Sequence, residues 1–381
     1  MTTVAASSLR QGTLRRALTP ARLRVLFALA GGLFVLNLAS ATFGQAPLAV
    51  LAQAFHGTWG TPYGVGQVLF KATPLVFTGL SFHVALRVGL FNIGSEGQLA
   101  LASLGAAVFA SKLGPGIPAV VAVPLVLACA MALGGSVAYV TGALRARLGV
   151  HEIISGIMLN RIIDVAAPWL LVAVLGAVSL RTEPIAASAR LPRLDTLAPS
   201  LSGSAASFAA PLALLVVFAT FAWLDRSRAG REMAWIGKSE SVCAAQGIDV
   251  PARRTQAMVL SGALAALAMS GTVLGYKGAH ELGLGAGAGF SGIAVAMVGR
   301  TSPVALVLAA LLFGTLAQAG LAINAAVPRE AMGVVEAVVI LLVAAVASAG
   351  EPPASASAAP RAPRAPQAPQ GEPPNRAEET P

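Results

Sequence analysis

Long apolar runs, each about 17–25 residues, punctuate this 381-residue chain and leave it few ways to fold. At about 1.5 Å per residue, a helical run of that length crosses the roughly 30 Å of a bilayer's hydrocarbon core. Apolar residues make up 56% of the chain and charged residues 11%, against about 25% charged in soluble domains. The expected fold is all-α, a single polytopic helical membrane domain.

The formal charge of +10 does not point to nucleic acid, because no basic stretch is interleaved with aromatic residues. Lys and Arg sit instead in short segments between apolar runs, the pattern that orients a membrane protein with its basic loops inside. Arg10, Arg15, Arg16, Arg22 and Arg24 precede a first run near 25–43, so the basic N-terminus, 1–24, is expected in the cytoplasm. No small-residue cleavage site follows that run, so no cleaved signal is expected. The stretch 44–66, with Trp59 and Tyr63, reads as an external loop bearing interfacial aromatics. Further runs near 67–86, 93–111 and 117–141 return the chain inside at Arg145 and Arg147. Runs at 152–176 and 209–224 flank an external loop, 177–208.

The loop 225–256 carries six Arg or Lys residues from Arg226 to Arg254 and is the firmest cytoplasmic assignment. A run at 257–275 then leads out, and one at 286–299, opening in the glycine-rich stretch from Gly283, is too short for a comfortable straight span: it is either a broken or re-entrant helix or a crossing that brings Arg300 inside, and the count below takes it as a crossing. Runs at 303–323 and 331–347 complete about ten helices with both termini cytoplasmic, the membrane domain spanning 25–348. Five runs per half would suit an inverted repeat, although the halves show no internal sequence match. The tail 349–381, rich in Pro and Ala, is too poor in apolar residues to order itself. Cys129 in an apolar run and Cys243 in a basic loop are expected to remain unpaired.

His151-Glu152-Ile153-Ile154-Ser155 resembles a zinc-protease helix but has Ser155 where the second histidine ligand is needed. The glycines of Gly287–Gly292 match a dinucleotide fingerprint without the preceding strand it requires, and fit close helix packing better. No phosphate-cradling loop occurs, so ATP energy would have to come from a partner. No metal or cofactor is implied. On the fifth run Glu152, Gly156, Asn160 and Asp164 recur every fourth residue along one face, with Ser155 beside them. Such a stripe either lines a path or joins helices by hydrogen bonds, Arg161 being placed to neutralise Asp164. Gln318, Asn324 and Glu336 pose the same choice.

Asn92-Ile93-Gly94-Ser95-Glu96-Gly97-Gln98 interrupts two apolar runs with glycines, amides and a carboxylate. With Thr73-Pro74-Leu75, Gly149–Ile154, Ile157–Asn160 and Phe290–Ala296, it resembles the permeases of ATP-binding-cassette importers for nucleosides and simple sugars. The resemblance runs from about 65 to 347 and favours the nucleoside branch, with Arg161 and Glu336 as departures from the family pattern. It implies a plasma-membrane permease paired with a second, homologous permease, a cytoplasmic ATP-binding subunit and an external substrate-binding protein. Asn92, Glu96, Gln98, Glu152, Ser155, Asn160 and Asp164 then become candidate path residues. Lys238, Ser239, Glu240, Ala244, Ala245 and Gly247, in a small-residue segment bounded by glycines, become candidates for coupling to the ATPase. An ion-driven transporter is the alternative; it would rely on Asp164 and Glu336 near the midplane. An intramembrane enzyme lacks any complete catalytic constellation.

Overall fold

The structure is a computed structural model that describes residues 40–114, 116–299 and 302–328 without a break, with scattered positions in 31–38 and 332–342. Most of the expected first and last spans, the basic N-terminus, the tail, Arg300 and Glu336 lie outside the described residues. Among the described residues six helices are long and apolar enough to cross a membrane. These are α2, Pro62–Leu86; α4, Ala119–Leu148; α5, Glu152–Trp169, extended by a wider π-type turn to Val174; α6, Ala209–Arg226; α9, Val250–Ala266, extended likewise to Lys277; and α11, Pro303–Ala322.

Two of the expected spans are shorter: α3, Ser95–Ser111, and α10, Ala288–Gly299. The stretch expected as the external loop 44–66 holds a helix, α1, Pro47–Thr58. Pro47 sits in its first turn, where a missing N–H costs nothing, and Val50 and Ala54 pack on Ile323, Val327 and Met332. Trp59 and Tyr63 remain exposed after it, as an interfacial pair would be.

Helices α2 and α9 form the centre. Of α9's apolar stretch, 89% is buried, and α2 packs against α1, α6, α9, α10 and α11. The closest pairing is α4 with α9, and it rests on missing side chains. A Cβ on Gly134 would stand 2.5 Å from the Gly262 carbonyl oxygen, and Ala138 and Ala266 repeat the small residue one turn along each helix. Small residues spaced by four let membrane helices approach to backbone contact.

The contacts at helix ends respect two sides. Arg87 pairs with Asp225, and Gly237 packs on the backbone at Arg87 and Gly89. Opposite, Lys112 pairs with Glu183 at 3.0 Å, and the segment 177–208 is stitched to the chain after α9. There Thr182 and His280 exchange backbone and side-chain hydrogen bonds, and Ile185 donates to the Gly278 carbonyl.

Candidate functional site

The Asn92–Gln98 block folds back into the protein between α2 and α3. Asn92 is completely buried, and its amide pairs face to face with that of Gln98, at 2.8 and 2.9 Å. Asn92 Nδ2 also donates to Ser261 Oγ at 2.7 Å, and Ser261 donates to the Ser81 carbonyl. One turn of chain thus ties α2, α3 and α9 together. Buried amides away from water are stable only when satisfied in this way.

Asn160 completes the clamp from α5: its Oδ1 accepts from Gly97 N at 2.9 Å and its Nδ2 donates to the Ile93 carbonyl at 2.9 Å. Gly156, one turn earlier, lies against Gly94, where a Cβ would meet the Gly94 nitrogen at 3.0 Å. Glu152 is buried near the start of α5, 3.6 Å from Arg145 and accepting from Phe91 N at 3.4 Å, while Ser155 hydroxyl donates to the Glu152 carbonyl. Four of the candidate path residues, Asn92, Gln98, Asn160 and Ser155, therefore spend their polar groups inside the fold. Gln318 donates to the Gly57 carbonyl, and Asn324 is exposed after α11.

Glu96 and Asp164 sit differently. Glu96 Oε1 accepts from Gly287 N at 2.6 Å and Oε2 from Gly289 N at 2.8 Å, so the carboxylate caps the first turn of α10. Charge and dipole agree there, since the first-turn N–H groups of a helix have no partner within it. Thr78 holds the same end by donating to the Ala288 carbonyl. The start of the short α10 is thus buried in the fold. The chain reaches it through Gly283, Gly285 and Gly287, at φ of 82°, 85° and 86°, a left-handed zigzag closed to most other residues.

Behind this zigzag lies a cavity of about 270 Å³ walled by α3, α5 and residues 280–286, and Glu96, Asp164 and His280 are its titratable residues. Sequence reasoning passed over His280 because a lone histidine in an external loop carries no spacing signal. The cavity adjoins the least covered helix: only 22% of the Glu152–Val174 apolar stretch is buried. Met158, Ile162, Val165 and Trp169 project outward from it, 55–75% exposed. On the same side lie Arg161 and Asp164, 3.5 Å apart with side chains 78% and 47% exposed, near the middle of the span.

The coupling candidates lie on the side of Arg87 and Asp225. Helix α7, Arg228–Ile236, is tied to α9 by Glu232, which is buried and accepts from Arg228 Nε at 2.7 Å and Arg253 Nε at 2.6 Å; helix α8, Glu240–Ala245, follows it. Those two hydrogen bonds, with the charges behind them, hold the Glu232 carboxyl below the usual carboxylate range. Arg254 pairs with Glu240 at 3.0 Å. Lys238, Glu240, Ala244, Ala245 and Gly247 remain exposed, Ser239 is half-buried, and Gly247 turns the chain at φ 78°. Trp235 and Val242, about half exposed, border them around a shallow hollow floored by Cys243.

Comparison with known proteins places this architecture. The chain is 34% identical to the guanosine ABC transporter permease protein of Bacillus subtilis over 84% of its length and 91% of that protein. It is 30% identical to the glucose ABC transporter permease protein of Haloferax volcanii over 84% of its length and 85% of the relative. A nucleoside ABC transporter permease protein of Lactococcus lactis is 29% identical over 87% of this chain and 91% of its own. The model of the branched-chain amino acid transport system permease component matches residues 64–344, most of the chain, and the protein belongs to that family.

Proposed function

We propose that the protein imports nucleosides or related simple sugars as one of two homologous permeases driven by a cytoplasmic ATP-binding subunit. As an ABC permease it is a multi-pass protein of the bacterial plasma membrane. The substrate class follows the named cargoes of its relatives, guanosine, nucleosides and glucose. An external substrate-binding protein delivers the solute, and the side bearing Arg87, Asp225 and the loop 225–256 faces the ATPase with both termini.

The Arg161–Asp164 pair carries this reading. A charge at the centre of a span costs about 2.5–3.5 kcal/mol against lipid, so a helix face presenting two of them outward does not face hydrocarbon. It faces the second permease and the aqueous path between the two subunits. At the other end, α7, α8 and the turn to α9 present small, exposed residues on an ion-paired frame, a surface fitted to insert into the ATPase. ATP-driven closure of the ATPase pair moves this frame, and α9, continuous with it, runs through the centre of the permease.

Uptake of labelled nucleosides, glucose and ribose in cells lacking the gene tests the function. Loss of nucleoside or sugar uptake, restored by the gene, is expected; unchanged uptake of all of them refutes it.

A further inference from the structure

Among the described residues, the arginines of the loop 225–256 fall into two groups. Arg228 and Arg253 share Glu232, and Arg254 pairs with Glu240. Arg226 and Arg231 are exposed, have no carboxylate partner there, and stand together. Arg231 Nη1 donates to the Arg226 carbonyl at 2.7 Å, which leaves the rest of its fork, and the whole guanidinium of Arg226, without an acceptor among those residues. The joint between α6 and α7 builds this pair. Ser227 Oγ accepts from Gly230 N at 3.0 Å, and Gly230 packs on the Leu224 carbonyl, where a Cβ would collide. Helix α7 therefore turns back tightly and sets its first turn beside the last turn of α6.

The level of the pair in the membrane follows from α6. Its 18 residues rise about 27 Å at about 1.5 Å each, close to the roughly 30 Å of hydrocarbon, so Arg226 at its end reaches the headgroup phosphates. Leu215, Phe218, Ala222 and Arg226 recur every three or four residues, so the arginine closes an outward stripe in which Leu215 and Phe218 are 67% and 49% exposed. Trp223, also exposed, sits just before the end, at the depth where indoles favour the interface. Helix α6 packs on α2 and α11, whereas α5 packs on α3 and α4. The α6 stripe thus opens on a different flank from the α5 face given to the second permease, and an apolar stripe left open within the bilayer meets lipid.

We propose that Arg226 and Arg231 bind the headgroup of an anionic phospholipid whose acyl chains lie along the Leu215–Phe218 stripe. Guanidinium forks match the oxygens of a phosphate diester, and each cation at an anionic leaflet strengthens binding about fivefold. The site lies at the membrane end of α7. The hollow bordered by Trp235 and Val242 lies at the other end, beside α8, so lipid and ATPase take different ends of one helix. The inference rests on the functional reading above in giving the α5 face to the second permease.

The test measures binding of a fluorescent phosphatidylglycerol to the full transporter purified in detergent, with phosphatidylcholine of the same chains and inorganic phosphate as comparison probes. Phosphatidylglycerol is expected to bind at least about fivefold tighter than phosphatidylcholine. Arg226→Gln combined with Arg231→Gln should weaken it about 25-fold and leave phosphatidylcholine unaffected, and the corresponding double lysine variant, which keeps the charges without the forks, should lose less. Arg147→Gln, at an exposed arginine near the end of α4, should change nothing. Equal affinity for the two lipids, undiminished phosphatidylglycerol binding in the glutamine variant, an equal loss in Arg147→Gln, or displacement by millimolar phosphate overturns the site. So does loss of the ATPase from the glutamine variant with lipid binding unchanged, which assigns the surface to the ATPase. The comparison of lipids on the unaltered protein stands even if no arginine variant inserts. If deleting the gene abolishes uptake but phosphatidylglycerol is not preferred, the lipid site falls and the importer stands; if deletion leaves uptake intact, the functional reading falls.

Discussion

Asn160 joins two segments of chain more than sixty residues apart, and its two hydrogen bonds both end on backbone groups of the 93–97 turn. Replacing it with leucine leaves a buried N–H and a buried carbonyl without partners, at roughly 1–3 kcal/mol each in water and less where the unfolded helix stays in lipid. Asn160→Leu is therefore expected to lower the amount of inserted permease and its melting temperature in detergent. A normal amount of stable protein with lost uptake would return Asn160 to the path. The block Asn92–Gln98 was legible in the sequence because glycines and amides interrupt apolar runs. Its partners Ser81 and Ser261 were not, since an isolated serine in a span looks like any other small residue. Arg226 and Arg231 show the same limit: what sets them apart from Arg228 is the lack of a carboxylate among the described residues, visible only in three dimensions.

Helices α4 and α9 meet through glycine, so their distance is set by what a side chain would displace. Gly262→Leu would put its Cβ against Ala138 and the Gly134 carbonyl. It is expected to push the helices apart and sharply reduce inserted protein, whereas Leu127→Ala, a partly buried edge position of α4, should cost far less; membrane blots compare the two. On the side of Arg87 and Asp225, Glu232 is ionised when folded at a pKa held below that of the unfolded carboxyl, about 4.3. Its stabilisation is thus present above that pH and is lost as pH falls through the lower, folded value. Glu232→Gln should make the 225–256 loop cleaved faster by protease at pH 7, with the difference between variant and wild type vanishing at strongly acid pH. The sequence marked the small-residue segment that holds Lys238 to Gly247, and α8 lies within it. It did not mark α7, whose order comes from arginines on two different helices.

At the scale of the whole molecule, Ala245→Glu or Gly247→Glu should leave the spans in lipid intact while less ATPase co-purifies and uptake is lost; full recovery of both would remove this segment as the coupling element. Orientation has its own check, with single cysteines at exposed Ser200 and Ser241 in a protein freed of its native cysteines. An impermeant thiol reagent added to intact cells should label the first and spare the second. By itself the sequence determined that the chain lives in a membrane, where most described spans begin and end, and to which family its motifs belong. Those properties follow from local length, hydropathy and charge, which each segment carries alone. Only the tertiary structure decided which polar residues are spent on holding helices together and which are left facing a cavity or the outer surface. Apolar composition leaves that open, because in lipid nearly every face of every helix is apolar, and what distinguishes the faces is how closely small residues let neighbouring backbones approach.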